Sequence, residues 1–294
     1  MTLAPNLPSW PQHRPPRRLG RWRQHSILPG FAPGFAFTIA YLSLIVLIPL
    51  AALVARPWEH GLAGFWTTVT DDRVAAALKL SFGAALAASA VNIVMGLIVA
   101  WALVRYDFPG RRLLDAAVDL PFALPTAVAG IALATLYGPH GWIGGPLAPL
   151  GIKIAYTPVG VFVALLLVGL PFIVRSVEPV LQEFDEDVEN AALTLGATPW
   201  RRAVDVIFPA LAPALISGFS LAFARAVGEY GSVIFIAGNM PMRSEIAPLL
   251  IVTKLEQFNY AGAASVGLAM LVASFVILLI INGFQALLAR RYAR

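Results

Sequence analysis

Two ionisable residues, Arg225 and Glu229, lie four positions apart within a long apolar stretch. Positions four apart share one face of a helix, so the two side chains can pair. An unpaired charge in mid-membrane costs at least about 2.5–3.5 kcal/mol, so such groups rarely face lipid. The pair can be a structural lock between helices. Alternatively, Arg225 offers bidentate donors to a tetrahedral oxyanion in a pathway, and Glu229 keeps the anion from binding too tightly.

A second polar position, Asp119, precedes Pro121 and Pro125 in another apolar stretch. A proline inside a membrane helix frees backbone groups from their helical hydrogen bonds. The freed groups can line a polar path, or the proline can simply kink the helix. Both interpretations follow from the sequence.

The segment between residues 178 and 213 predicts two short amphipathic helices separated by a turn. Val188, Ala191, Ala192 and Leu195 recur at the spacing of one helical face. Acidic residues crowd the start of this helix, where the helix dipole favours negative charge, and Gly196 suits a C-terminal cap.

The second helix of this segment is predicted to begin at Thr198, an N-cap, with Pro199 in the first helical position. Trp200 starts its apolar stripe, and Pro209 is expected to break or kink the chain before the next span. Such a helix pair can lie on the lipid surface or serve as a docking element for a soluble partner.

The chain lacks the residues that several kinds of chemistry require. The chain has no cysteine, which excludes disulfides and thiolate metal sites. No phosphate-binding G-x-x-x-x-G-K-[ST] sequence occurs, so ATP and its magnesium would have to bind a separate subunit. No serine–histidine or metal-ligand constellation supports a membrane enzyme. We expect no catalytic residue, no metal and no cofactor in this chain.

The elements that position these residues are membrane helices. Of 294 residues, 59% are hydrophobic and only 13% charged, with a mean hydropathy of +0.76. Soluble domains carry about 25% charged residues. Continuous apolar runs favour helices over a barrel and predict an all-α integral membrane fold with about six spans. The predicted spans are 35–55, 80–104, 120–137, 158–174, 214–236 and 264–287.

Basic residues orient these spans. With the N-terminus inside, 14 of the 21 lysines and arginines fall in cytoplasmic segments and 6 in outer segments. This bias predicts that both termini are cytoplasmic, and it explains the net charge of +5 without nucleic acid. Residues 1–30 combine prolines and arginines without an acidic residue, which predicts a disordered, lipid-facing basic tail. The transmembrane domain is then 31–294.

The 178–213 segment resembles the EAA motif of ABC importer permeases through Ala191-Ala192, Gly196 and Val206–Pro209. The motif normally begins with glutamate where this chain has Asn190, and Glu189 stands one position earlier, in a different helical direction. In that family the loop is a coupling helix that docks on the ATPase. The resemblance therefore implies an ATPase-coupling set of Glu189, Asn190, Ala191, Ala192, Gly196, Thr198, Trp200 and Pro209.

Two further runs, DLPFALPTAVAG at 119–130 and VGEYGSVIFIAGN at 227–239, are similar to bacterial sulfate/thiosulfate importer permeases. This resemblance implies a type I (MetI-like) permease fold in the bacterial inner membrane and import of sulfate or thiosulfate. The implied partners are a second, CysW-like permease, a CysA-like ATPase homodimer and a periplasmic binding protein. The predicted translocation pathway comprises Arg225, Glu229, Asp119, Pro125 and Asn239.

Two other functions fit part of the pattern. Molybdate permeases share a weaker version of both runs, so a molybdate or tungstate importer is one alternative. A self-sufficient secondary anion transporter is another, but it would need ion-coupling groups within this chain. Beyond Arg225 and Glu229 the sequence offers none.

Overall fold

The computed structural model of the protein describes residues 31–292, so the predicted basic tail of residues 1–30 lies outside the described residues. Within 31–292 the chain forms helices and connecting segments, without a strand. The α-helices are α1 Phe31–Leu42, α2 Ile48–Ala55, α3 Gly61–Val69, α4 Asp72–Arg105, α5 Arg111–Ala123, α6 Thr126–Tyr137, α7 Gly144–Leu147, α8 Pro158–Glu183, α9 Glu186–Thr194, α10 Pro199–Arg201, α11 Phe208–Val227, α12 Val233–Ile236, α13 Ala247–Glu256 and α14 Tyr260–Tyr292.

Shorter helical turns connect some of these helices. Ser43–Leu47 and Arg202–Ile207 are π-helical, and Arg56–His60 and Ala148–Leu150 are 3₁₀-helical. The chain divides into two compact units, Met1–Leu50 and Ala51–Arg294. In the described part of the first unit nearly all side chains are exposed.

The prediction of about six spans is confirmed. Five helical stretches of the described chain are long and apolar enough to cross a membrane, and a bent helix pair makes a sixth if it is counted as one span. The five stretches are Pro33–Glu59, Asp72–Arg105, Pro158–Glu183, Pro199–Val227 and Tyr260–Leu287.

The third span differs from the single helix predicted at 120–137. It consists of α5 and α6, which meet at an angle of 114°. Leu124 adopts an extended conformation, because the ring of Pro125 disfavours helical geometry at the preceding residue. Pro121 lies inside α5 without ending it, so the break belongs to Pro125.

The fifth span is also displaced from the predicted 214–236. Its helix begins at Pro199 and ends at Val227, and residues 228–232 are not helical. Pro209 was expected to break or kink the chain, and of these two outcomes the break is wrong. Pro209 lies in the first turn of α11, directly after a π-helical run in which the Phe208 N–H bonds to the Ala203 carbonyl. The π-helical bonding pattern lets the helix pass the proline without interruption.

α8 forms the centre of the second unit, where it packs against both α4 and α11. Small residues allow this close packing, as is usual between membrane helices. A Cβ at Gly96 of α4 would lie 2.6 Å from the Ile173 side chain, and one at Gly218 of α11 would lie 3.1 Å from the Ile173 Cα. The buried Asn92 side chain adds a polar link, because its Nδ2 donates to the Leu166 carbonyl at 3.0 Å.

Candidate functional site

The 178–213 segment forms the predicted helix, glycine turn and second helix. Asp185 caps α9, accepting a hydrogen bond from the Asp187 N–H at 2.9 Å. At the other end, the Gly196 N–H bonds to the Leu193 carbonyl and the Ala197 N–H to the Ala192 carbonyl. These two bonds define a Schellman cap, with Gly196 at a φ of +81° that favours glycine. The predicted cap is confirmed.

The second helix begins as the sequence predicts. The Thr198 Oγ1 accepts a hydrogen bond from the Arg201 N–H at 3.3 Å, and Pro199 is the first helical residue. Around the turn, Leu195 is 87% exposed and Trp200 76% exposed. Val188 of α9 is also exposed. The apolar side chains around the turn are therefore exposed, whereas Ile207, nearer the end of the segment, is buried.

Glu189 binds within the chain. Its carboxylate pairs with the Arg105 guanidinium at the C-terminal end of α4, and that guanidinium also lies 5.4 Å from the centre of the Trp101 ring. Asn190 and Ala191 are exposed, and Ala192 is half-buried. Glu189, which lies one position before the place of the EAA-motif glutamate, thus anchors α9 to α4. Nothing in the sequence indicated this pair, because its partners lie 84 positions apart.

Arg225 and Glu229 pair, with Nη1 and Oε2 2.5 Å apart. Arg225 lies in the last turn of α11, and Glu229 lies just after the helix end. The Oε1 of Glu229 accepts hydrogen bonds from the Ser232 N–H at 2.9 Å and the Ser232 hydroxyl at 2.8 Å. Glu229 is only 3% exposed, whereas the side chain of Arg225 is 38% exposed. Both carboxylate oxygens of Glu229 accept polar contacts, and more than a third of the Arg225 side chain stays accessible.

The other predicted pathway residues make separate polar contacts. Asp119 binds Arg175 of α8, with Oδ2 and Nη2 2.6 Å apart. Pro125 marks the break between α5 and α6. Asn239 follows α12 at a φ of +52° and donates from Nδ2 to the Ile234 carbonyl at 2.8 Å.

A further ion pair was missed by sequence reasoning. Arg73, at the start of α4, binds Glu245 through two bonds, Nε to Oε2 and Nη2 to Oε1, each 2.7 Å long. Glu245 is buried. The partners are 172 positions apart, so no spacing rule connects them. The bidentate pair fixes α4 to the segment before α13.

A family profile described as binding-protein-dependent transport system inner membrane component matches residues 92–294. The chain belongs to this family. It is therefore a membrane-embedded permease component of a transport system, and the predicted membership among ABC importer permeases is confirmed.

Curated relatives extend the match to nearly the whole chain. The sulfate transport system permease protein CysT of Synechocystis sp. is 47% identical over 291 residues, covering 99% of both chains. The protein of the same name from Escherichia coli K12 is 45% identical over 265 residues, covering 90% of this chain and 96% of that one.

A solved bacterial alginate ABC transporter, in complex with an alginate pentasaccharide-bound periplasmic protein, contains a similar chain. The TM-score is 0.70 at 17% sequence identity, covering 86% of this chain and 92% of that one. At such identity the similarity concerns the fold alone. It confirms the predicted type I ABC importer permease architecture.

Proposed function

We propose that this chain is the permease subunit through which a bacterial ABC importer moves sulfate or thiosulfate across the inner membrane into the cytoplasm. The observation that carries this proposal is the near-full-length similarity to permeases named for sulfate transport. Sequence identity of almost half, without large gaps in coverage, favours a shared substrate class as well as a shared fold.

The 178–213 segment is the proposed contact with the ATPase. Helix α9 is capped at both ends, so the segment is locally rigid. Leu195 and Trp200 present apolar surface that nothing in the described chain covers. The ion pair between Glu189 and Arg105 joins this surface to α4. A rigid, exposed element attached to membrane helices is suited to transmit motion from a soluble partner.

The proposed machine contains four further parts. They are a homologous CysW-like permease, a CysA-like ATPase homodimer that binds ATP and magnesium, a periplasmic sulfate- or thiosulfate-binding protein, and surrounding lipid. The alginate transporter supports the third of these, since it was solved with a periplasmic protein bound. The family description itself refers to dependence on a binding protein.

Arg225 is the proposed anion contact in the membrane. Glu229 holds one side of its guanidinium, and Arg225 keeps more than a third of its side-chain surface accessible. An accessible guanidinium beside a neutralising carboxylate attracts a tetrahedral oxyanion without trapping it.

Radiolabelled sulfate uptake tests the substrate assignment. A strain lacking this gene should regain uptake when the chain is restored, with thiosulfate competing strongly and molybdate weakly. Loss of molybdate uptake in the deleted strain, with sulfate uptake unchanged, would reassign the chain to the molybdate and tungstate importers. Uptake that persists without any ATPase subunit would instead indicate a secondary transporter.

Crosslinking tests the ATPase contact. Because the chain contains no cysteine, a single cysteine replacing Leu195 or Trp200 is its only thiol. Each is expected to crosslink to the ATPase in the assembled complex, whereas a cysteine at the equally exposed Leu113 of α5 serves as the control. If neither Leu195→Cys nor Trp200→Cys crosslinks more than the control, this part of the proposal is wrong.

A further inference from the structure

One arginine of α8 binds three carboxylates. Arg175 contacts Asp119 through Nε at 3.0 Å and Nη2 at 2.6 Å. Its Nη1 lies 2.8 Å from Asp115 and 2.6 Å from Glu178. Asp115 and Asp119 belong to α5, whereas Glu178 belongs to α8 itself. These four residues, the Arg175 cluster, therefore join α5 to α8.

The apolar contacts that attach α5 are limited, although Phe122 of α5 meets Phe172 of α8 edge-on, with ring centres 5.2 Å apart. Val118 is its one fully buried side chain. Residues 106–110, which precede the helix, are not helical, and the 114° break at Leu124–Pro125 follows it. Because α5 has a non-helical segment at each end and only one buried side chain, the Arg175 cluster contributes strongly to its orientation.

The Arg175 cluster contributes more to the orientation of α5 than to the stability of the fold. The side chain of Arg175 is 32% exposed, and ion pairs accessible to solvent contribute only about 0–1 kcal/mol to stability. A guanidinium that forks onto Asp119 nevertheless fixes the direction of approach, which a lysine could not do. Without Arg175, three carboxylates would face one another and push α5 away from α8.

The position of the cluster along α8 connects it to the 178–213 segment. α8 continues without interruption from Pro158 to Glu183, and only two residues separate it from α9. A displacement of α9 therefore reaches Arg175 through a continuous helix. From Arg175 it passes to α5 and then to the break before α6.

We propose that Arg175 is a positioning residue that makes α5 move with α8, so that motion imposed on α9 by the ATPase reaches the break in the third span. This inference rests on the proposed importer function. It predicts that weakening the cluster separates ATP hydrolysis from anion movement without preventing assembly.

The test uses the complete complex, with its ATPase, second permease and binding protein, in proteoliposomes. Sulfate uptake and ATP hydrolysis are measured in the same vesicles. We expect Arg175→Gln to lower the sulfate imported per ATP about five- to tenfold, within the usual range of coupling between sites. Arg175→Lys should recover part of this loss. The control, Arg111→Gln, breaks an exposed pair between the first residue of α5 and Asp107 in the preceding segment, and it should match wild type.

A covalent replacement of the ion pair separates positioning from a general structural defect. The double variant Asp119→Cys/Arg175→Cys has the only two thiols of the chain, and it should be uncoupled until a short bifunctional thiol reagent bridges them. Recovery of imported sulfate per ATP after bridging supports the inference. No recovery, or a wild-type ratio before bridging, would overturn it.

Two further outcomes are informative. If Arg175→Gln fails to assemble, the double variant Asp115→Asn/Asp119→Asn replaces it, because it leaves Arg175 paired with Glu178 on α8. This variant should show the same fall in sulfate imported per ATP. An unchanged amount of sulfate per ATP refutes the inference. If the wild-type complex hydrolyses ATP but imports neither sulfate nor thiosulfate, the proposed substrate is wrong. That result can be distinguished from a failure of the inference about Arg175, because it is obtained with the unmodified chain.

Discussion

At the scale of single residues, Glu229 and Arg225 have different tasks although they form one pair. Glu229 is buried, and both of its oxygens are occupied by Arg225 and Ser232. It therefore fixes the turn after α11. Arg225 pairs through Nη1, and 38% of its side chain is exposed, which leaves further N–H donors for an anion.

Neutralising both members of this pair separates a structural role from anion binding. Arg225→Gln alone leaves a buried carboxylate unpaired, which typically costs about 3–5 kcal/mol. The double variant Arg225→Gln/Glu229→Gln avoids that cost. We expect it to assemble normally and to lose nearly all sulfate uptake.

The matched control is Arg56→Gln/Glu59→Gln, which removes an exposed pair of the same residue types and should leave uptake unchanged. Near-normal uptake by the Arg225→Gln/Glu229→Gln complex would show that the pair only locks helix packing.

Residue pairs were predictable only where they are close in sequence. The four-residue spacing correctly indicated that Arg225 and Glu229 pair. The bonds from Ser232 to Glu229 could not be predicted, because they depend on α11 ending at Val227 instead of continuing to residue 236. The long-range partners of Glu189 and Glu245 carry no local signal at all.

At the scale of elements, Gly196 sets the angle between α9 and α10 through its left-handed conformation. Alanine in this conformation costs about 1–2 kcal/mol. If that strain is relieved by unwinding the turn, Gly196→Ala should weaken ATPase binding about five- to thirtyfold, measured with the purified permease complex.

Gly83→Ala in α4 is the control for this substitution, since an added Cβ there meets nothing within 4 Å and the backbone is helical. Equal ATPase affinity for the Gly196→Ala and Gly83→Ala complexes would mean that the turn does not shape the docking surface.

A second glycine, Gly130 of α6, determines how the broken span packs. A Cβ at this position would lie 2.4 Å from the Ser232 carbonyl oxygen, closer than real Cβ contacts allow. Gly130→Ala should therefore destabilise the permease by about 1–3 kcal/mol. Thermal unfolding of the purified complex measures this as a lower Tm than that of Gly83→Ala, and equal Tm values would contradict the observed packing.

The sequence predicted the ends of α9 and the start of α10 better than the course of the membrane spans. Asp185, Thr198 and Gly196 act locally, so their caps could be identified without a structure. Pro125 and Pro209 both indicated an interruption, yet only Pro125 produces one. The difference arises from context, because π-helical bonding precedes Pro209, whereas the extended Leu124 precedes Pro125.

At the scale of the whole molecule, composition alone identified a helical membrane protein, and the bias of basic residues predicts its orientation. Cysteines replacing Leu195 and Trp142 test that orientation, since these side chains are 87% and 91% exposed. In spheroplasts, a membrane-impermeant maleimide should label Trp142→Cys and not Leu195→Cys. Both should react after the membrane is permeabilised, and the opposite pattern in intact spheroplasts would invert the topology.

The central place of α8 has a consequence for biogenesis. α8 packs against α4, which is translated before it, and against α11, which is translated after it. During co-translational insertion, one side of α8 therefore stays in contact with lipid or insertion machinery until residue 227 has left the ribosome. A nascent chain that stops earlier holds an incomplete helix bundle, in which no helix yet packs on the α11-facing side of α8.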